Sequence, residues 1–222
     1  MNDSALPLLI IGNKNYSSWS LRPWLLLRHF GVAFRELKLP LDTPEFEARI
    51  ADYAPNRRVP ALHDGAVRLW DSLAICEYAN ERWLGGRGWP ADLPIRALAR
   101  SISAEMHSGF TALRNELPFN CRKRAHRRQV SADAAADVER VLAIWREKRR
   151  HHGGAGRFLF GDFGIADAMY APVVLRFVSH GVALDGEAQR YVDAITALRA
   201  LHEWLADAET EELSDVHERT KP

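Results

Sequence analysis

Short apolar runs alternate with amphipathic stretches over the first third of the chain, and the alternation predicts its elements. Leu8 to Ile11 is an uninterrupted apolar run stopped by Gly12, which reads as a buried strand, and Ser18 to Phe30 then places apolar residues along one helical face. Val32 to Leu39 alternates as a second strand. Pro44, backed by Glu45 and Glu47, opens a short helix that ends near Tyr53. Ala61-Leu62-His63 and Ala66 to Trp70 flank Asp64-Gly65, a pair that supplies the positive φ angles of a type I′ hairpin turn. Asp71 or Ser72 caps a helix running to Trp83. The order is βαβαββα, a mixed sheet with helices against it.

Gly85-Gly86-Arg87-Gly88-Trp89-Pro90 then gathers helix breakers between two periodic segments and is read as a linker. Beyond it the patterns are helical: Pro94 to Leu117, Ala132 to Arg150, Ile165 to Ser179, Glu187 to Thr196 and Leu198 to Ala208, with no strand pattern. The segment from Glu209, with Glu211, Glu212, Asp215 and Glu218 and few apolar residues, is expected to be frayed or loosely docked. The expected division is an α/β domain over 1–84, a linker over 85–93 and an all-helical domain over 94–222.

Composition narrows the function. The 222 residues carry 30 Lys+Arg against 29 Asp+Glu, a formal charge of +1, which argues against a dedicated nucleic-acid binder and leaves small molecules as the expected partners. With 47% hydrophobic and 27% charged residues the chain is of ordinary globular type. No apolar run approaches the length of a membrane span, and Met1-Asn2-Asp3-Ser4 lacks the opening of a secretory signal, so a soluble, cytoplasmic protein is expected. Cys76 and Cys121 stand far apart in no metal or redox spacing, which excludes a disulfide framework and a zinc ribbon.

Three segments carry chemistry. Asn15 to Trp24 follows the first strand and opens the first helix, where unpaired backbone N–H groups and the helix dipole favour an anion. A thioredoxin-type domain has C-x-x-C here; this chain has Ser17-x-x-Ser20. Serine hydroxyls form no disulfide, but they can donate a hydrogen bond to a ligand's sulfur anion or simply cap the helix, and both readings stand. In Arg57-Arg58-Val59-Pro60 a proline opens a strand after a basic pair, which costs only one N–H; a cis Val59-Pro60 bond would be the more telling form, turning the Val59 backbone toward Ser17. Asp71-Ser72-Leu73-Ala74-Ile75 opens another helix with an acceptor and a hydroxyl. Arg122 to Arg128 is the densest charge run, either a solvated surface or a positive rim for an anion, while Arg146 to His152 ends a helix, where cations suit the dipole.

Taken together in this order, these segments resemble the soluble glutathione S-transferase family, in its serine-type zeta and theta-like classes, along essentially the whole chain. The resemblance implies α/β plus all-α: a thioredoxin-like βαβαββα N-terminal domain followed by a helical-bundle C-terminal domain. It implies a cis Val59-Pro60 bond, that Ser17 donates a hydrogen bond from its hydroxyl to the glutathione sulfur, and that the Val59 backbone, beside Pro60, pairs with the cysteinyl part. Asp71 would meet the α-ammonium, Ser72 the γ-glutamyl carboxylate and Arg58 the glycyl carboxylate. Ser18, Trp19 and His107 are implied as cleft-wall residues, and Tyr16 keeps a tyrosine-activated variant open. The implied reaction is thiolate attack on a small electrophile, with glutathione as co-substrate, no metal and a homodimeric protein. The alternatives are cis-trans isomerisation of the maleylacetoacetate type and a non-catalytic binding protein. Two positions depart from the pattern: Gly164 stands where an N-cap Ser or Thr precedes Asp167, and Asp71 replaces a longer Glu or Gln.

Overall fold

A computed structural model describes residues 6–123, 129–154 and 156–212. The first half runs β1 (Leu8–Ile11), α1 (Ser18–His29), β2 (Arg35–Lys38), α2 (Pro44–Arg49) with a 3-10 turn at Ile50–Asp52, β3 (Ala61–Asp64), β4 (Val67–Trp70) and α3 (Ser72–Arg82). The sheet order is β2-β1-β3-β4, with β1 parallel to β2 and antiparallel to β3, and β3 antiparallel to β4. This is a thioredoxin-like domain. The second strand begins later than its alternation predicts because α1 ends in a Schellman motif. Gly31 adopts φ +70, its N–H donates to the Arg28 carbonyl, and the Val32 N–H reaches back to Leu27.

The hairpin differs from expectation in its turn. Asp64 remains in β3, paired with Val67, and the two-residue loop is Gly65-Ala66, of which only Gly65 has positive φ (+56). That is the pattern of a Gly-X turn rather than type I′. Freed from the turn, the Asp64 carboxylate accepts from Tyr78 Oη at 2.8 Å and Arg82 Nε at 3.4 Å, which ties the hairpin to α3.

The second half is helical: α4 (Leu93–Ser108), α5 (Thr111–Glu116), α6 (Ala132–His152), α7 (Ile165–Ser179), α8 (Gly186–Thr196) and α9 (Arg199–Glu209). The single helix expected from Pro94 to Leu117 breaks at Gly109-Phe110, where Phe110 takes a left-handed φ of +56 and buries its ring. Asp137 of α6 holds the restart, since its Oδ2 accepts the Leu113 N–H at 3.0 Å. Helix α7 is the axis of the core, buried at every residue except Val178, and it packs against α1, α3, α4 and α8. Gly164 at its N-cap has a packing reason: an added Cβ would lie 2.7 Å from the Gly88 carbonyl oxygen. Asp167 compensates, accepting N–H groups from Gly164 (3.0 Å) and Leu159 (3.1 Å).

The acidic segment after α9 is not frayed at Glu211, which is buried and bonded to the β1–α1 turn. Among the described residues no helix is long and apolar enough to cross a membrane.

Candidate functional site

The turn between β1 and α1 carries the serines. Ser17 is the N-cap of α1: its hydroxyl accepts the Ser20 N–H at 3.4 Å and donates to the Ser20 hydroxyl at 2.7 Å, which accepts the Gly12 N–H at 3.1 Å. The capping reading is therefore realised. It does not consume the proton, because hydroxyl rotation lets Ser20 become the donor and releases the Ser17 hydrogen. The next residue, Ser18, has its hydroxyl against Arg176 Nη2 (3.3 Å) and its carbonyl against Arg22 Nη1 (3.0 Å).

Those two guanidiniums are buried in α1 and α7 and satisfied mostly by carbonyls. Arg22 also donates to Met169 O (3.1 Å) and lies against Met106 Sδ (3.0 Å), while Arg176 donates to Arg114 O (3.0 Å) and to the Leu117 carbonyl. Burial, followed by the neighbouring Arg176 and Arg114 charges, lowers the Arg22 pKa to about 9; burial and Arg114 lower that of Arg176 to about 9. Both remain cations at neutral pH. The N-terminus of α1 thus combines a favourable dipole with two positive charges in a low-dielectric setting, a place that favours an anion.

Beside it lies a cleft of 360 Å³. It brings together Trp19, Arg58, Val59, Pro60, Asp71, Ser72 and His107 from four segments, and adds Asn56 and Arg114; Tyr16, Ser17 and Ser18 are not in its wall. Val59-Pro60 is cis. Asp71, at φ +87, caps α3 by accepting the N–H groups of Leu73 (2.9 Å) and Ala74 (3.0 Å) with Oδ1, while Oδ2 meets His107 Nε2 at 2.8 Å. His107 thereby ties α4 to α3 across the cleft. Two cations lie against Trp19, Arg22 at 4.1 Å and Arg114 at 5.4 Å from its ring centre, and it meets the His107 ring edge-on at 5.3 Å.

Three buried polar atoms on this cleft lack a partner among the described residues: Ser72 Oγ, His107 Nδ1 and Arg114 Nε. Buried polar groups are normally satisfied, so three orphans on one wall mark the place where a polar ligand completes the structure. A larger cavity of 690 Å³ lies between the linker and the α6–α7 connection, walled by Phe30, Phe158, Phe160 and Phe163. It has no such orphan, and volume alone does not make it the site.

Arg22, Arg114, Arg176 and Asn56 were not among the residues that sequence reading singled out. A charge inside the apolar run Leu21 to Leu27, and another inside α7, were the available signals for Arg22 and Arg176; nothing local marks Arg114 or Asn56. In the basic run, Arg122 is no free rim: its N–H donates to Asn15 Oδ1 (3.0 Å) and its Nε to the Ala208 carbonyl (2.8 Å). Residues 124–128 of that run lie outside the described residues.

Comparison with known proteins bears on the family and the fold. Residues 16–82 match the glutathione S-transferase N-terminal domain and residues 125–207 the glutathione S-transferase C-terminal domain. Maleylacetoacetate isomerase of Rattus norvegicus is 31% identical over 110 residues, 49% of this chain and 51% of that protein, and the Mus musculus protein matches to the same extent. The match thus spans about half the length of these relatives. Among solved structures, a glutathione transferase homolog from Burkholderia gl BGR1 with bound glutathione shares the fold at a TM-score of 0.70 and 24% identity, covering 93% of this chain and 99% of that one. The holo structure of maleyl pyruvate isomerase, a bacterial zeta-class protein, shares it at 0.71 and 21% identity, covering 93% and 100%. With both halves matched in order by the two domains of one family, on a fold shared over nearly its full length, the chain belongs to the glutathione S-transferase family.

Proposed function

We propose that the cleft binds glutathione and that the protein is a glutathione transferase, using the Ser17 hydroxyl to hold the thiolate for attack on a small electrophile. The orphaned Ser72 hydroxyl is the observation that carries this reading. It is buried in the cleft wall with no partner among the described residues, in the same cleft as the cis Val59-Pro60 pair and next to Asp71 in sequence. The tripeptide offers two carboxylates and one ammonium, each needing a partner when it leaves water. Ser72 would take the γ-glutamyl carboxylate, and Arg58, whose guanidinium has no ion-pair partner among the described residues, the glycyl carboxylate. Asp71 would take the ammonium through Oδ2, the oxygen now shared with His107, while the Val59 backbone pairs with the cysteinyl residue.

A free thiol has a pKa of about 8.5, so little is ionised at neutral pH. In the proposed mechanism Ser20 turns to donate to Ser17, and the Ser17 proton turns to the sulfur. The α1 dipole with Arg22 and Arg176 adds to the preference for the anion. The sulfur lone pair then forms a bond to the electrophilic carbon and the leaving group departs with its electron pair.

Isomerisation of the maleylacetoacetate type is the second reading, and the arginines favour it. Arg114 Nε is unpartnered at the cleft, and three guanidiniums surround Trp19 and Ser18, a setting that suits an acceptor bearing carboxylates. There the sulfur adds to a double bond and leaves again, so glutathione is not consumed.

Titration of the bound-thiolate absorbance in the wild type and Ser17→Ala, with glutathione consumption followed on an electrophile panel and on a cis-diene acid, tests both readings. The wild type should ionise bound glutathione below its ordinary pKa of about 8.5, and Ser17→Ala should raise that value while affinity changes by no more than about twofold, since the bond matters most to the charged sulfur. A titration and rate identical to wild type would make Ser17 a helix cap only and move the role to Ser18 or Tyr16.

A further inference from the structure

The turn that carries Ser17 is anchored from the helical half of the chain. Glu211 lies just beyond α9 with its side chain 2% exposed. Its two oxygens accept successive main-chain N–H groups, Oε1 from Lys14 at 2.9 Å and Oε2 from Asn15 at 3.0 Å, and Oε1 also pairs with Lys38 Nζ at 2.9 Å. The Lys14 carbonyl accepts the Trp204 indole N–H at 2.9 Å, and the Asn15 carbonyl accepts the Cys121 N–H at 3.2 Å. All four main-chain polar groups of Lys14 and Asn15 are therefore bonded to the helical half, and none to the turn itself. Lys14 Nζ is held by Asp207 at 2.6 Å and Glu36 at 3.0 Å, and Arg122 links the segments by donating to the Ala208 and Glu211 carbonyls. The turn is closed from within, by Asn13 O accepting the Tyr16 N–H at 3.2 Å and the Ser17 N–H at 2.8 Å, while the groups of Lys14 and Asn15 fix its position against the helical half. Because one carbonyl bonds both the Tyr16 and the Ser17 amide across Lys14 and Asn15, a shift of those two residues is passed on to Ser17.

We propose that Glu211 is a positioning residue: by capping the Lys14 and Asn15 amides it fixes the Ser17 hydroxyl where it meets the sulfur, so the acidic segment after α9 sets thiolate ionisation without touching substrate. This rests on the reading of the cleft as a glutathione site. Its chemistry is specific to a carboxylate, since two parallel N–H donors need two acceptor oxygens. Glutamine offers one oxygen and turns an NH₂ donor toward the other amide.

The test uses the full chain, with Glu211→Gln as the principal variant, Asp207→Asn to loosen the same turn from an exposed position, and Lys38→Met as the control that leaves both amide bonds in place. Glu211→Gln should keep glutathione affinity within about twofold, lower kcat about tenfold and move the bound-thiolate titration to higher pH, the tenfold corresponding to one charge-assisted hydrogen bond. Asp207→Asn should move both in the same direction by less, and Lys38→Met should stay at wild type. Hydrogen exchange at Ser17 to Ser20 should quicken in the first two. If Glu211→Gln does not fold, Asp207→Asn and Glu211→Asp decide. Wild-type titration and kcat in the variants that fold would overturn the proposal. A wild-type protein that fails to ionise glutathione would overturn the site reading and this inference with it, a failure recognisable because it precedes any substitution.

Discussion

Ser72 and Asp71 are neighbours with opposite costs. The Ser72 hydroxyl makes no bond among the described residues, so Ser72→Ala should leave the urea midpoint at or slightly above wild type while weakening glutathione binding by about 1.5 to 3 kcal/mol, measured by calorimetry. Unchanged affinity would remove Ser72 from the site. Asp71 cannot be read so simply. Its Oδ1 caps two amides of α3 while Oδ2 holds His107, and its φ of +87 suits few residues, so an alanine there disturbs helix, cleft and backbone together. The shorter Asp in place of Glu or Gln fits this double duty, reaching its own helix end with one oxygen and the facing helix with the other.

Helix ends carry the next set of consequences. Serine caps a helix better than glycine in isolation, yet Gly164→Ser should destabilise the protein by about 1 to 3 kcal/mol, because its Cβ would lie 2.7 Å from the Gly88 carbonyl. A raised Tm in that variant would contradict the packing argument. Asp167 supplies the cap instead and is fully buried, which raises its pKa to about 6 against the pull of two amide bonds. The unfolded value is about 3.9, so between about pH 4 and 6 the folded protein holds a proton that the unfolded chain has released; this group's contribution to stability falls as pH rises through that window. Denaturant midpoints at pH 4, 5 and 6 should show that fall in wild type and lose it in Asp167→Asn. The α4–α5 break shows the same logic from outside the element, since Asp137 on α6 caps the Leu113 amide that a continuous helix would have used.

At the scale of the molecule, four of the five exposed large hydrophobic residues among those described lie on β4 and α4: Val67, Trp70, Leu93 and Leu98. β4 is a sheet edge, and apolar groups left exposed on an edge strand or a helix commonly mark an interface. We propose that these exposed apolar residues contribute to a contact between two copies. Sedimentation should find a dimer, and Trp70→Glu should shift it to monomer without loss of the glutathione-induced stability gain; a wild-type monomer at micromolar concentration would refute the assignment.

Much of this was legible along the chain. β1, α1 and α7 announce themselves because strand burial, helical periodicity and capping are set by residues within a turn or two of one another. Ser17, Val59-Pro60, Asp71 and Ser72 could be picked out for the same reason, each sitting at an element's end. What escaped was decided by pairs far apart in sequence. The break at Phe110 needed Asp137, the glycine at 164 needed Gly88, and Arg114 joins the cleft only because α5 turns back beside Trp19. Glu211 looked like solvated acid in a polar tail. It is buried because Lys14 and Asn15 present two amides that their own turn cannot satisfy, and only the folded chain brings that acceptor and those donors together.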